Sequence, residues 1–112
     1  MNAMSESTPS MRSISPFRYP GGKAFLYKYL LRRVEALPSG ERYYAEPFCG
    51  GAGSAVILLK LGAVEQIHLN DADLKVYSAW KAILEDTERF AAKIEEVAVA
   101  LDTWHASRKL VE

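Results

Sequence analysis

The stretch that decides the fold of this chain is Glu46-Pro47-Phe48-Cys49-Gly50-Gly51-Ala52-Gly53-Ser54. Before it comes a short run, Tyr43-Tyr44-Ala45, whose aromatic residues favour a β-strand. After it comes an apolar run, Ser54 to Leu61, which predicts a buried helix ending near Gly62. Glycines between a strand and a helix predict a tight turn where a ligand can approach bare backbone.

The segments on either side of this turn predict further alternation of helix and strand. Lys23 to Ala36 predicts a first helix, because its apolar residues recur at spacings of three and four. Gln66 to Asn70 predicts a second strand, and Asp73 to Leu84 a third helix. A fourth helix is expected to begin at Thr87 as its N-cap. Its apolar residues at helical spacing are Phe90, Ile94, Val97, Leu101 and Trp104.

Strands that alternate with helices predict an α/β fold with a parallel sheet. Two strands alone make a poor sheet, because a parallel sheet needs both faces covered. Residues 16–112 are therefore expected to form the front part of an α/β domain. Residues 1–15 are polar and rich in serine, which predicts a mobile N-terminal tail.

The composition is typical of one small globular domain or part of one. The chain has 112 residues, of which 49% are hydrophobic and 25% charged, and its formal net charge is zero. This balance argues against binding of polyanions by the whole chain. Cys49 is the single cysteine, which excludes an intrachain disulfide, and the two histidines give no metal-site spacing. No apolar run is long enough to span a membrane, and we expect a cytoplasmic protein with no membrane partner.

Two phosphate-binding motifs do not fit the glycines. A Walker loop ending at Gly22-Lys23 would need glycine at Phe17 and a hydroxyl residue at Ala24. A dinucleotide turn that begins with Gly51-Ala52-Gly53 would need its third glycine at Val56. Nicotinamide and flavin dinucleotides are therefore disfavoured.

A nucleoside cofactor without a pyrophosphate fits the residues better. Asp71 follows Gly53 by 18 residues, at the end of the second predicted strand, where an acid can accept hydrogen bonds from two ribose hydroxyls. Glu46, at the end of the first strand, can accept from a cationic amine. Ribose, adenine and an amino-acid tail together describe S-adenosylmethionine. Two simpler interpretations stay open: the glycines form only a tight turn, and Asp71 is the N-cap of the third helix.

Three motifs occur in a characteristic order. They are Arg18-Tyr19-Pro20-Gly21-Gly22-Lys23, the glycine stretch from Glu46 to Ser54, and Leu69-Asn70-Asp71. Together they closely resemble the Dam-type, adenine-specific DNA methyltransferases over roughly residues 15 to 84. The resemblance implies the N-terminal part of a Rossmann-like, S-adenosylmethionine-dependent methyltransferase fold, with a mostly parallel sheet flanked by helices.

The resemblance also implies cofactor-binding roles for nine residues. Tyr19 would pack against the cofactor, and Lys23 would reach its carboxylate end. Asp71 would hold the ribose, and Ala72 would lie beside the adenine. The floor of the pocket would be formed by Glu46, Pro47, Phe48, Gly51 and Gly53.

The implied reaction is methyl transfer to the exocyclic amine of an adenine flipped out of double-stranded DNA. In this family an Asp-Pro-Pro-Tyr motif does that chemistry, and these 112 residues contain no Pro-Pro pair. We therefore assign no catalytic residue and expect an N-terminal portion that is inactive alone, with the C-terminal part as a candidate partner chain. Two alternatives stay open: a truncated or split cofactor-binding module, and a small nucleic-acid-binding protein. The latter would bind DNA in a salt-dependent way through Arg18, Arg32 and Arg33.

Overall fold

The computed structural model describes residues 14–17 and 22–111. The chain divides into two compact units, residues 1–70 and 71–112. Most of the predicted tail and the predicted site residue Tyr19 lie outside the described residues.

The first unit is built on a two-stranded parallel sheet, as the alternation of elements predicted. Strand β1, Tyr43–Glu46, pairs with strand β2, Gln66–Leu69. Helix α2, Gly53–Lys60, connects them in the manner of a βαβ unit, because parallel strands require a crossover. The first predicted helix consists of a single 3-10 turn, Ala24–Leu26, that continues into helix α1, Tyr27–Glu35.

The core of the first unit lies between α1, α2 and the sheet. Val34, Leu58 and Val64 are buried together. Fully burying an aliphatic side chain of this size stabilises a fold by roughly 1.5–3 kcal/mol, so this cluster is the main apolar support of the β1 and β2 strands. Partly buried residues that pack against it are Leu30, Leu31, Tyr44, Ala63 and Ile67.

Helix α2 ends at a glycine, as the sequence predicted. Gly62 has a left-handed φ of +68°, which an L-residue adopts only with strain. Its N–H donates to the carbonyl of Leu59 at 3.0 Å, and the N–H of Ala63 donates to the carbonyl of Leu58 at 3.0 Å. This pair of bonds is a Schellman motif, which satisfies carbonyls that the helix leaves open and turns the chain towards β2.

The described part of the second unit, residues 71–111, contains three helices where the sequence predicted two. They are α3, Leu74–Glu85, α4, Thr87–Glu96, and α5, Leu101–Lys109. The expected fourth helix is interrupted because the backbone is extended at Val97 and again at Ala100. The apolar spacing continues across this interruption, so periodicity alone did not reveal the break.

The predicted N-cap role of Thr87 is wrong. Thr87 is the first residue of α4, and its hydroxyl donates to the carbonyl of Ile83 at 2.6 Å. Asp86 takes the cap position without a side-chain cap bond. The hydroxyl of Thr87 therefore satisfies the end of α3 instead of the start of α4.

No helix within the described ranges combines the length and the apolar character needed to cross a membrane.

Candidate functional site

The glycine turn, residues 47–52, joins the end of β1 to the start of α2. It is fixed to the residue that follows β2: the N–H of Cys49 donates to the carbonyl of Asn70 at 2.9 Å. The N–H of Asn70 in turn donates to the carbonyl of Glu46 at 3.0 Å. Hydrogen bonding between the two chain segments therefore continues past the ends of both strands. These bonds fix the position of the first residues of the turn relative to the sheet.

Two residues of the glycine turn have left-handed backbones. Gly50 and Ala52 both have φ of +48°. For alanine this conformation costs about 1–2 kcal/mol because its Cβ crowds the following carbonyl. Ala52 is nevertheless buried, and its N–H donates to the carbonyl of Cys49 at 2.7 Å. Sequence reasoning missed Ala52, because alanine gives no indication of a positive φ.

Gly53, the first residue of α2, is required by a close approach of the chain. A Cβ added to Gly53 would lie 2.8 Å from the Cβ of Ala24. The sequence suggested that the missing Cβ leaves space for a ligand. In the structure that space is occupied by Ala24, so Gly53 lets the segment before α1 reach the start of α2.

Two serines fasten the N-terminal segment to the glycine turn. The hydroxyl of Ser54, which is buried, donates to the carbonyl of Lys23 at 2.6 Å. The hydroxyl of Ser15 donates to the carbonyl of Gly51. Neither serine was singled out from the sequence, since a serine hydroxyl that bonds a distant carbonyl leaves no local pattern. Ser15 and Lys23 are thus both fastened near the point where the turn ends and α2 begins.

The Glu46 carboxylate lies at the N-terminus of α2. It accepts hydrogen bonds from the hydroxyl of Tyr44 at 3.0 Å and from the backbone N–H of Ala55. Burial raises the pKa of Glu46 above its ordinary value, while the Tyr44 hydroxyl, the Lys23 charge and the Ala55 N–H oppose the rise. A negative charge at a helix N-terminus is favourable, which helps to explain why a carboxylate is accommodated here.

Pro47 and Phe48 begin the turn on its exposed side. The side chain of Phe48 is 72% exposed, and the Pro47 carbonyl accepts a bond from the side-chain amide of Asn70 at 3.2 Å. An exposed aromatic ring beside a glycine turn is available for stacking on a planar ligand.

Asp71 and Ala72 are the first two residues of the second unit. Oδ1 of Asp71 accepts the backbone N–H of Asp73 at 2.9 Å, which forms an Asx turn. The N-cap of α3 is Asp73, whose carboxylate accepts the N–H of Lys75 at 2.8 Å. The interpretation of Asp71 as the N-cap is therefore wrong, because the following acid takes that position.

A family model for the D12 class N6 adenine-specific DNA methyltransferases matches residues 19–108. The chain belongs to this family. The match confirms the family resemblance that the three motifs suggested, and it extends through both compact units. Searches of curated proteins and of solved structures found no significant match.

The α/β architecture of this D12-class chain is the N-terminal part of a Rossmann-like methyltransferase fold, with a parallel sheet flanked by helices. In its first unit the Glu46 carboxylate lies at the start of α2, where the charge of Lys23 acts on it. Asp71 directly follows Asn70, the residue that holds the glycine turn. The other predicted residues that the first unit contains are Pro47, Phe48, Gly51 and Gly53.

Proposed function

We propose that this chain binds S-adenosylmethionine and supplies the cofactor-binding part of an adenine-specific DNA methyltransferase. The observation that carries the proposal is the arrangement at the end of β1. There the buried residues 49–52 of the glycine turn lead into a helix N-terminus, where the Glu46 carboxylate accepts a backbone N–H and the charge of Lys23 acts on it. A family that transfers methyl groups requires a methyl donor, and S-adenosylmethionine has the charges that match this arrangement.

The amino-acid tail of the cofactor is a zwitterion, and the first unit offers a complementary pair of charges. In our proposal Glu46 accepts hydrogen bonds from the cofactor ammonium, and Lys23 donates to its carboxylate. Charge-assisted hydrogen bonds of this kind are about twice as strong as neutral ones. The bond from Ser54 to the Lys23 carbonyl supports the proposal, because it fixes the main chain from which the lysine side chain extends.

We assign the nucleoside part of the cofactor to Asp71 and Ala72, which follow β2, and to residues of the glycine turn, which precede it. Asp71 accepts hydrogen bonds from the ribose hydroxyls, and Ala72 lies beside the adenine. The bond from the Asp73 N–H supports this role, since it restricts the rotation of the Asp71 carboxylate. In our proposal the floor is formed by Pro47, Phe48, Gly51 and Gly53. Tyr19 is assigned to the cofactor from the family resemblance alone.

The methyl acceptor in our proposal is the exocyclic amine of an adenine flipped out of double-stranded DNA. The sequence contains no Asp-Pro-Pro-Tyr motif, so the residues that hold the adenine are supplied from outside these 112 residues. The chain by itself is then expected to bind the cofactor without methylating DNA. We place the reaction in the cytoplasm, with no membrane partner.

Calorimetric titration with two ligands tests the proposal. S-adenosylmethionine carries the amino-acid tail, whereas 5′-methylthioadenosine shares the nucleoside but lacks the tail. Lys23→Gln should weaken S-adenosylmethionine binding roughly tenfold to a hundredfold, the scale for one charged hydrogen bond. Its affinity for 5′-methylthioadenosine should stay within about twofold of the parent chain, since the tail-less ligand makes no bond to Lys23.

Lys28→Gln is the matched control, because Lys28 is an exposed lysine of α1 five residues further along the chain. It should change neither affinity. Equal weakening of both ligands by Lys23→Gln would contradict the assignment of the tail to Lys23, and absence of binding to either ligand by the parent chain would contradict the proposed function.

A further inference from the structure

We propose that Tyr44 is a positioning residue for Glu46, whose carboxylate it orients to receive the ammonium group of the cofactor. The inference rests on the proposed function, because it concerns how Glu46 binds the ammonium group of S-adenosylmethionine. It adds a residue that touches Glu46 and not the cofactor itself.

The position of Tyr44 in β1 makes this role possible. Side chains two residues apart in a strand point to the same face, so Tyr44 and Glu46 share one face of the sheet. The Tyr44 hydroxyl donates to Oε1 of Glu46 at 3.0 Å. The ring of Tyr44 packs against the core cluster of Val34, Leu58 and Val64. Packing against the core therefore fixes the position of the Tyr44 ring, and with it the position of the hydroxyl that donates to Glu46.

The groups that face the Glu46 carboxylate come from three elements. Tyr44 approaches from β1, the backbone N–H of Ala55 from α2, and the charge of Lys23 from the segment before α1. On β2 the residue in register with Glu46 is Leu69, which is apolar. An ionised carboxylate accepts about four hydrogen bonds. The two protein donors orient it and leave acceptor capacity for a cationic ligand.

The Tyr44 hydroxyl stays protonated at neutral pH and so remains a hydrogen-bond donor. Burial, followed by the charge of Glu46 and the hydrogen bond to it, raises the pKa of Tyr44 to about 12. Tyr44 therefore keeps its proton throughout the neutral range. Its bond favours the ionised form of Glu46, and loss of the bond should raise the pKa of Glu46 further.

The adjacent tyrosine provides a matched control. Tyr43 lies on the opposite face of the strand, is 56% exposed, and donates its hydroxyl to Glu41. Phenylalanine at either position removes one hydroxyl bonded to one carboxylate. Only Tyr44→Phe removes a bond to Glu46.

The first measurement uses the full chain without ligand. A pH titration of the Glu46 side-chain carboxyl carbon by NMR should show a higher pKa in Tyr44→Phe than in the parent chain. Tyr43→Phe should leave that pKa unchanged. An unchanged pKa in Tyr44→Phe would overturn the inference, whatever the chain binds. Far-UV circular dichroism checks that both variants retain the fold, which is expected because each keeps its ring.

The second measurement is the pH dependence of ligand affinity. In Tyr44→Phe we expect S-adenosylmethionine affinity to fall about threefold to tenfold at neutral pH, and its loss on acidification to begin at a higher pH. Affinity for 5′-methylthioadenosine should stay within about twofold, because it has no ammonium group. Equal loss for both ligands would indicate a merely structural role and overturn the inference. Failure of the parent chain to bind either ligand would instead refute the proposed function, and the inference with it.

Discussion

The contact between Gly53 and Ala24 gives the sharpest test of how the site is built. In Gly53→Ala the new Cβ would lie 2.8 Å from the Cβ of Ala24. Carbon atoms in favourable contact are about 3.5–4.0 Å apart, so one segment must move by roughly 0.7–1.2 Å. A methyl group cannot rotate away, and the movement must come from backbone.

The cost of Gly53→Ala follows from two opposing effects. Overpacking of this kind destabilises a fold by roughly 1–3 kcal/mol. Replacing glycine by alanine also lowers the conformational entropy of the unfolded chain, which stabilises the folded state by about 0.4–1 kcal/mol. We therefore expect a net loss of about 1–2 kcal/mol in the free energy of unfolding. Movement of Ala24 should also displace Lys23 and weaken S-adenosylmethionine binding.

A double-mutant cycle with Ala24→Gly measures this contact directly. Without the Ala24 Cβ, the nearest atom to the new Cβ is the Ala24 Cα at 3.4 Å, an ordinary contact. In the Ala24→Gly background, Gly53→Ala should therefore be close to neutral, which gives a coupling of at least about 1 kcal/mol in urea unfolding followed by circular dichroism.

Gly62→Ala serves as the control for the cycle, because Gly62 has a positive φ and no atom within 4 Å of an added Cβ. It should destabilise both backgrounds equally, through backbone strain alone. Equal destabilisation by Gly53→Ala in both backgrounds would refute the close-approach explanation.

Three further predictions concern the site residues. Asp71→Ala should weaken S-adenosylmethionine binding by about 1–3 kcal/mol in calorimetry, because ribose hydroxyls lose their acceptor, and unchanged affinity would refute the ribose role. Ser54→Ala should reduce the free energy of unfolding by about 1–3 kcal/mol, because the Lys23 carbonyl loses a buried donor. Ser107→Ala, at an exposed position of α5, is the control, and an equal effect there would contradict the role of the Ser54 hydrogen bond. Glu46→Gln should remove the part of the loss of S-adenosylmethionine affinity on acidification that follows protonation of Glu46. Burial raises the pKa of Glu46, so its contribution to stability is present below its unfolded pKa and lost as the pH rises through the folded value. The melting temperature of Glu46→Gln without ligand should therefore be no lower than that of the parent at neutral pH, and a lower value would contradict the burial argument.

The element order of this chain was predictable because each boundary depends on local chemistry. Tyr43 and Tyr44, before the glycines, predicted β1. The apolar run after the glycines predicted α2. Gly62 defined the helix end, since a Schellman motif needs a left-handed residue and glycine adopts one without strain. The interruption between α4 and α5 was missed, because extended backbone at Val97 and Ala100 follows from no glycine or proline.

The contacts that assemble the site were less predictable, because they join residues distant in sequence. Ser54 bonds the carbonyl of Lys23, 31 residues earlier. Ala24 occupies the space that Gly53 leaves, and no sequence pattern pairs the two. The choice between Asp71 and Asp73 as N-cap depended on which carboxylate accepts a backbone N–H from the first turn of α3. From the sequence, Tyr44 predicted only a β-strand, and only the geometry of β1 connects its hydroxyl to Glu46.

The central claim is that these residues bind the methyl donor through both its tail and its ribose. Calorimetric titration of the full chain with S-adenosylmethionine tests it most directly, with Glu46→Gln and Asp71→Asn measured alongside. We predict saturable binding of one molecule per chain, weakened about tenfold or more by each substitution. A folded chain that produces no binding heat, or one whose affinity is unchanged in both variants, would contradict the claim.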